Sequence, residues 1–168
     1  MATPVAITPE NDRELVIARR VAASPEACFR CWTDPTLIPE WFCPRPWRAE
    51  VVSMDVRPGG ASKTIFHGPD GESFPNDGVY LEVAPGRKLV FTDAFSEGWR
   101  TTENPMFVGV ITFEDAGNGE TLYVARARHW TKESAQRHKD MGFEQGWGVC
   151  ADQMEALARA LPTHDGSS

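Results

Sequence analysis

The chain has 168 residues, of which 41% are hydrophobic and 24% charged, and its formal net charge is −7. This length suits one domain with a sizeable core. An acidic surface repels nucleic acids and anionic membranes, and no basic run offsets the repulsion, so we expect neither as a partner. No apolar run reaches the roughly 18 residues of a membrane-spanning helix. Residues 1–13 also lack the apolar segment of a secretory signal, and we therefore expect a cytoplasmic protein.

The four cysteines include one pair, Cys28 and Cys31, with the Cys-x-x-Cys spacing of a redox site or half a zinc site. No second pair completes a set of metal ligands. We interpret the two residues as small hydrophobic side chains on a helix, and we predict neither a metal nor a cofactor. All four cysteines are expected to be free thiols in a reducing compartment.

The first predicted elements follow an N-terminal arm. Residues 1–12 contain two prolines and little periodicity, and we predict that they are flexible. Residues 13–21 predict a strand, because apolar and charged side chains alternate there. The Ser-Pro pair at 24–25 predicts the start of a helix. The Asp-Pro pair at 34–35 predicts a second short helix, which ends near Trp41.

A series of strand signals comes next, separated by turns that contain Gly, Pro and Asp. Strands joined by such turns indicate an antiparallel meander rather than crossover connections. We predict strands at 49–56, 61–67, 79–83, 88–95, 105–113 and 121–129.

One long C-terminal helix is predicted from Thr131 to Leu161. Thr131 is a good helix cap, and apolar residues then recur at intervals of three and four. Pro162 ends the helix, and residues 162–168 are predicted to be a flexible tail. Three glycines lie early in this helix, at a cost in helix stability, and indicate close packing, a bend or a mobile entrance: Gly142, Gly146 and Gly148.

The predicted order is β-α-α-β6-α, which defines one α+β domain over residues 13–161. A strongly twisted antiparallel sheet can curve around a long helix and bury its inner face on the helix's apolar stripe. Such an arrangement tends to enclose a pocket, and a pocket suits a small molecule better than a polymer.

We expect this pocket beside the last strand. The arginines at 126 and 128 set the strand's phase, so that Tyr123, Ala125 and His129 face inward. The inward alanines leave space, unless bulky neighbours fill it. Large rings nearby either line the pocket or belong to the core. The predicted ligand-binding residues are Trp41, Phe91, Tyr123, Ala125, His129, Phe143, Trp147, Cys150 and Met154.

Three polar residues are candidates for acid–base catalysis: His129, Asp93 and His67. The histidines could titrate near neutral pH. Asp93 interrupts an apolar strand face, where an unpaired carboxylate would have a raised pKa. For each residue we favour the alternative, a solvated group at a strand end, because polar strand residues are mostly exposed. The common nucleophile, phosphate-loop and zinc-peptidase motifs are missing from the sequence.

Short motifs spread over most of the chain resemble one known family. They include Ser24–Glu26, Trp32–Pro35, Glu40–Phe42, Asp55–Gly60, Gly78–Pro85, Leu89–Thr92, Gly119–Thr121 and Met141–Trp147. In this order they resemble the activator of Hsp90 ATPase homologue 1-like family, within the START/Bet v 1-like, polyketide cyclase-like SRPBCC superfamily. The resemblance implies a helix-grip fold, in which a seven-stranded sheet grips a C-terminal helix over an apolar cavity. It does not fix the function, since the family shares no catalytic set.

Three functional hypotheses follow. The one we favour is a cofactor-free domain that binds a small hydrophobic or aromatic molecule. The second is an enzyme of the cyclase, dehydratase or hydrolase type that uses His129 or Asp93 as its base. The third, implied by the resemblance alone, is a co-chaperone-like role in protein interaction and stress response, although the chain has no room for the second domain of that co-chaperone. The identity of the ligand stays open, as does the formation of a homodimer.

Overall fold

An antiparallel sheet with helices packed in its curve makes up the computed structural model, which describes residues 1–162. The described part of the chain contains four helices: α1 (Pro25–Thr33), α2 (Ile38–Trp41), α3 (Lys132–Asp140) and α4 (Phe143–Ala160). It also contains ten strands: β1 (Thr3–Val5), β2 (Glu14–Val21), β3 (Arg48–Met54), β4 (Ala61–His67), β5 (Ser73–Ala84), β6 (Lys88–Thr92), β7 (Phe95–Ser96), β8 (Arg100–Thr101), β9 (Val108–Gly117) and β10 (Glu120–Arg128). The predicted tail beyond Pro162 lies outside the described residues.

Eight strands form the main sheet in the order β1-β2-β10-β9-β6-β5-β4-β3, and all neighbours are antiparallel. The meander therefore runs from β3 to β10, and β2 closes it on the far side of β10. This arrangement confirms the predicted α+β class and the helix-grip fold. The sheet has one strand more than predicted because β1 extends it, and a separate hairpin, β7–β8, interrupts the chain between β6 and β9.

The N-terminal segment contains a strand that the sequence does not predict. Thr3 lies opposite Arg20, so the segment for which we expected a flexible arm pairs with β2. Ala2 is 4% exposed, and its N–H donates a hydrogen bond of 2.9 Å to the carboxylate of Asp152 on α4. The strand is three residues long, which is too short to show any alternation in the sequence.

The C-terminal helix is divided in two, which corrects the prediction of one continuous helix. Thr131 caps α3 as predicted, because its side chain accepts a hydrogen bond from the N–H of Ser134. The chain then turns at Gly142, whose φ of 95° lies in the left-handed region that glycine adopts without strain. The second helix begins directly afterwards at Phe143.

The core lies between the inner face of the sheet and the helices α1 and α4. Ser24 caps α1 by accepting from the N–H of Ala27 at 3.2 Å, and the buried face of α1 carries both residues of the Cys-x-x-Cys pair. Burial raises the pKa of Cys28 and of Cys31 to about 12, so both remain protonated thiols. Their position in the core agrees with the interpretation as small hydrophobic residues.

A buried carboxylate links β2 and β10 on the outer face of the sheet. Glu14 is 3% exposed, and it accepts hydrogen bonds from Arg126 at 2.7 Å, from Arg128 at 3.0 Å and from the N–H of Glu10 at 3.0 Å. Burial alone would raise the pKa of Glu14. The hydrogen bonds and the positive charges outweigh burial, and the pKa is lowered.

We expect Glu14→Gln to lower the free energy of unfolding by about 2 kcal/mol at pH 7. Removing one partner of a fully buried ion pair costs about 3–5 kcal/mol. Here the loss is smaller because the side chains of Arg126 and Arg128 are 22% and 47% exposed and regain water. Urea denaturation measures the change. The control is Glu120→Gln, which breaks a surface pair with Arg20 and should cost less than about 1 kcal/mol. Equal losses in the two variants would contradict the prediction.

Candidate functional site

A cavity of about 480 Å³ lies between the helices α2 and α4 and the inner face of β3 to β6. Its size falls within the range of small-molecule sites. Many aromatic rings line the wall, and they come from Trp32, Trp41, Phe42, Trp47, Phe66, Tyr80, Phe91, Phe107, Tyr123, Phe143 and Trp147. Alternate residues of β4, namely Ser62, Thr64 and Phe66, reach the wall, as expected for one face of a sheet. The described wall contains no Lys or Arg side chain.

The side-chain amide of one residue of α4 connects this helix to α2 through hydrogen bonds. Gln153 donates hydrogen bonds to the backbone carbonyls of Trp41 at 2.9 Å and of Cys43 at 2.8 Å. The indole N–H of Trp41 in turn donates to the carbonyl of Cys31 at the end of α1. These bonds fix three helices relative to one another at one side of the cavity.

Six of the nine predicted ligand-binding residues lie in the cavity wall, namely Trp41, Phe91, Tyr123, Phe143, Trp147 and Cys150. The other three, Ala125, His129 and Met154, are buried elsewhere. The structure therefore places the open space further towards β3 than the sequence predicts, and only one residue of β10, Tyr123, reaches it.

The ring of Trp32 explains this displacement. Helix α1 packs over β10, and the indole N–H of Trp32 donates to the hydroxyl of Tyr123 at 3.2 Å. Its ring lies 5.1 Å from Trp41 and 5.5 Å from Phe91, measured between centroids. The space beside the small residues of β10 is thus core, with Ala125 fully buried at 0% exposure.

The three glycines near the start of α4 have three different roles. Gly142 makes the turn between α3 and α4. Gly146 lines the cavity, where an added Cβ would meet no atom within 4 Å. Gly148 is buried, and an added Cβ would lie 2.9 Å from the guanidinium of Arg19. The sequence indicated that these positions were unusual, but it did not reveal that Gly146 faces the cavity or that Gly148 lies against Arg19.

The three catalytic candidates are not brought together. Asp93 lines the cavity, but both its carboxylate oxygens accept hydrogen bonds of 2.9 Å from the N–H of Met106. His67 lies outside the wall, where its Nε2 contacts the carboxylate of Glu50 at 2.7 Å. His129 is buried, with Nδ1 at 3.0 Å from the carbonyl oxygen of Arg13.

His138 is a site residue that the sequence reasoning missed. It lines the cavity, is 8% exposed, and has its Nδ1 at 2.9 Å from Nε2 of His129. Burial lowers the pKa of His138 to about 4, with a smaller contribution from His129, so the imidazole is neutral at pH 7. One signal could have found it, since His138 follows the buried Ala135 by three residues in an otherwise polar helix.

Among residues 1–162, no three His, Cys, Asp or Glu side chains are grouped in a way that could hold a metal ion. None of the helices in the same part of the chain is long and apolar enough to cross a membrane.

Known proteins that are similar to the chain share this architecture. A family model described as Activator of Hsp90 ATPase homolog 1-like protein matches residues 22–159. The crystal structure of a Nitrosomonas europaea protein is 33% identical, with a TM-score of 0.85 over 89% of this chain and 96% of that chain. One from Mycobacterium smegmatis is 25% identical, with a TM-score of 0.77 over 95% of this chain and 99% of that chain. No curated protein matches the sequence.

The family match spans α1 to α4, and thus the elements that form the cavity. In general terms the fold is that of a ligand-binding or interaction domain. The chain therefore belongs to the Activator of Hsp90 ATPase homolog 1-like family.

Proposed function

We propose that the domain binds a small, uncharged, mainly aromatic or apolar molecule in the cavity. The observation that carries this proposal is the composition of the wall, which combines many rings with no Lys or Arg side chain among the described residues. The acidic residues of the described wall are Asp77 and Asp93, so an anionic ligand would find no partner of opposite charge there.

The rings offer the ligand a large apolar contact area. Burial of apolar surface contributes about 25 cal/mol per Å² before the costs of association are subtracted. Pairs of aromatic rings add about 0.5–1.5 kcal/mol each. Trp147 is only partly buried, and its ring lies 6.0 Å from Phe107 and 5.1 Å from Phe143. These three rings offer faces and edges on which a planar ligand could pack.

Some residues of the wall, in the α3–α4 turn and in β5, are exposed to solvent. Met141 in the turn is 73% exposed and also lines the cavity. Asn76 and Asp77 of β5 are likewise both exposed and part of the wall. A ligand could therefore enter without an opening of the core.

The geometry favours binding over catalysis. Of the predicted bases, His129 and His67 lie outside the wall, and the oxygens of Asp93 are engaged with backbone N–H groups. A general base needs a free lone pair within hydrogen-bond reach of its substrate. His129 and His67 provide none in the cavity, and Asp93 reaches the cavity with a carboxylate that already accepts hydrogen bonds from the N–H groups of Met106 and Phe107.

The test combines native mass spectrometry with a cavity-filling variant. We expect protein purified from its own host to retain a small molecule, and the same spectrum gives the subunit number and so tests whether a homodimer forms. Gly146→Leu places a side chain in open space on a helix, so it should not destabilise the fold. It should weaken binding of the neutral fluorophore N-phenyl-1-naphthylamine at least about tenfold, because it occupies the ligand's volume.

Val149→Leu is the matched control, since Val149 lies on the same helix and is 43% exposed. This variant adds bulk on the solvent side and should leave binding unchanged. The proposal fails if the protein retains no molecule and the fluorophore does not bind. It also fails if Gly146→Leu and Val149→Leu bind the fluorophore as well as the wild type does.

A further inference from the structure

Two buried histidines form a chain of hydrogen bonds that leads to the cavity. Nδ1 of His129 lies 3.0 Å from the carbonyl oxygen of Arg13, and its Nε2 lies 2.9 Å from Nδ1 of His138. A carbonyl oxygen can only accept a hydrogen bond, so Nδ1 of His129 carries the proton. For neutral imidazoles, Nε2 of His129 is then an acceptor, and Nδ1 of His138 must donate to it.

This direction leaves Nε2 of His138 without a proton. Within the described residues no protein group hydrogen-bonds to this nitrogen, and no fully buried side-chain nitrogen or oxygen lacks a partner. The nitrogen is therefore not sealed in the interior. Since His138 lines the cavity, we infer that its free lone pair faces this space.

The ring of His138 is also held in place. Its centroid lies 5.2 Å from that of Phe107 and 5.0 Å from that of Phe143. The hydrogen bond to His129 fixes its rotation, because a ring flip would replace the donor at Nδ1 by a carbon. An acceptor that is oriented before the ligand arrives loses little entropy on binding.

We propose that Nε2 of His138 accepts a hydrogen bond from a hydroxyl or N–H group of the ligand, and that it selects ligands of the phenol, alcohol or amide type over ethers and hydrocarbons of the same shape. This inference rests on the function proposed above and specifies its ligand class. His138 would discriminate between the two classes, because a donor in an apolar pocket that finds no partner loses its hydrogen bonds to water without replacement.

The role is that of an acceptor rather than a base. A group with a pKa of about 4 holds a proton poorly at pH 7. An anionic product of proton transfer would also lack a cationic side chain in the described wall. The ligand's proton therefore stays on the ligand.

The experiment compares 2-naphthol with 2-methoxynaphthalene by isothermal titration calorimetry at pH 7. The two probes share one ring system, and methylation removes the donor. The wild type should bind 2-naphthol about fivefold more tightly, the ratio expected for one neutral hydrogen bond. In His138→Asn the preference should disappear. The amide N–H of asparagine can replace Nδ1 as the donor to His129, but asparagine has no group at the position of Nε2.

A spectroscopic measurement on the wild type does not depend on how well the variant folds. Long-range ¹H–¹⁵N correlation spectra should show both histidines protonated at Nδ1. Addition of 2-naphthol should shift the Nε2 resonance of His138, and 2-methoxynaphthalene should not.

Equal affinities of the wild type for the two probes would overturn this inference and leave the proposed function intact. A preference for 2-naphthol that persists in His138→Asn would also overturn it, as would a proton on Nε2 of His138 in the free protein. Failure of both probes to bind the wild type would overturn the proposed function and this inference together.

Discussion

Trp32→Ala is expected to lower the free energy of unfolding by about 3–5 kcal/mol, the usual cost of truncating a large buried ring. Trp32 is 4% exposed, and its ring lies 5.1 Å from Trp41 and 5.2 Å from Phe42 between centroids. Its N–H donates to Tyr123, which would lose this partner in the interior. Urea denaturation with far-ultraviolet circular dichroism measures the loss.

The comparison variant is Trp147→Ala, which removes the same type of ring from a partly buried position in the cavity wall. This truncation enlarges an existing space, so we expect a loss of about 1–2 kcal/mol. The free energy of binding N-phenyl-1-naphthylamine should fall by more than the free energy of unfolding does. If Trp147→Ala unfolds the protein, the residue is part of the core and the site assignment fails there.

Tyr123→Phe separates the hydrogen bond from the packing in this region. It keeps the ring but leaves the indole N–H of Trp32 without its acceptor, which should cost about 1–3 kcal/mol. In the double variant with Trp32→Phe the two losses should be less than additive, since the same bond is broken only once.

Acidification from pH 6.5 to pH 4 is expected to cost the wild type about 3 kcal/mol more than it costs His138→Asn. The pKa of His138 falls from its usual 6.5 to about 4 on folding. Between these values the unfolded chain binds more protons than the folded one, so stability falls as the pH falls. Each pKa unit corresponds to about 1.4 kcal/mol, which gives the size of the effect.

The physical cause is burial, and the neighbours of His138 do nothing to offset it. His129 faces it at 2.9 Å, and a positive charge there would oppose a second one. The other contacts, Phe107 and Phe143, carry no charge. The measurement is the free energy of unfolding in urea at several pH values between 7 and 4.

Subtracting the stability of His138→Asn from that of the wild type at each pH gives the contribution of His138 without that of the carboxylates. Glu14, Asp34 and Glu155 also have lowered pKa values, so their contributions are lost as well when the pH falls. Both proteins contain these groups, which therefore cancel in the comparison. Parallel stability curves for the wild type and His138→Asn would show that His138 titrates normally.

The sequence patterns correctly predicted those features that depend on interactions between residues close together in the chain. The arginines of β10 gave the correct phase of that strand, with Tyr123 at 1% exposure on the inner face and Arg126 bound to Glu14 on the outer face. The caps at Ser24 and Thr131 lie where the sequence places them. Alternation and capping involve residues only a few positions apart, so one sequence suffices to detect them.

The features that the sequence did not reveal depend on contacts between distant residues. The position of the cavity is decided by Trp32, which fills the space beside β10 from another helix. The access of His138 to the cavity depends on the turn at Gly142, and the polar sequence of α3 has too little apolar periodicity to mark where one helix ends and the next begins. The strand β1 is visible only through its partner β2.

The pairing of β2 with β10 has a consequence for biosynthesis. Arg19 lies opposite Tyr123, so the ribosome must make about 100 further residues before β2 meets this neighbour. Until then that edge of β2 offers free backbone groups, and the apolar side chains of α1 have no cover from α4. During this long interval the nascent chain can therefore aggregate or bind chaperones.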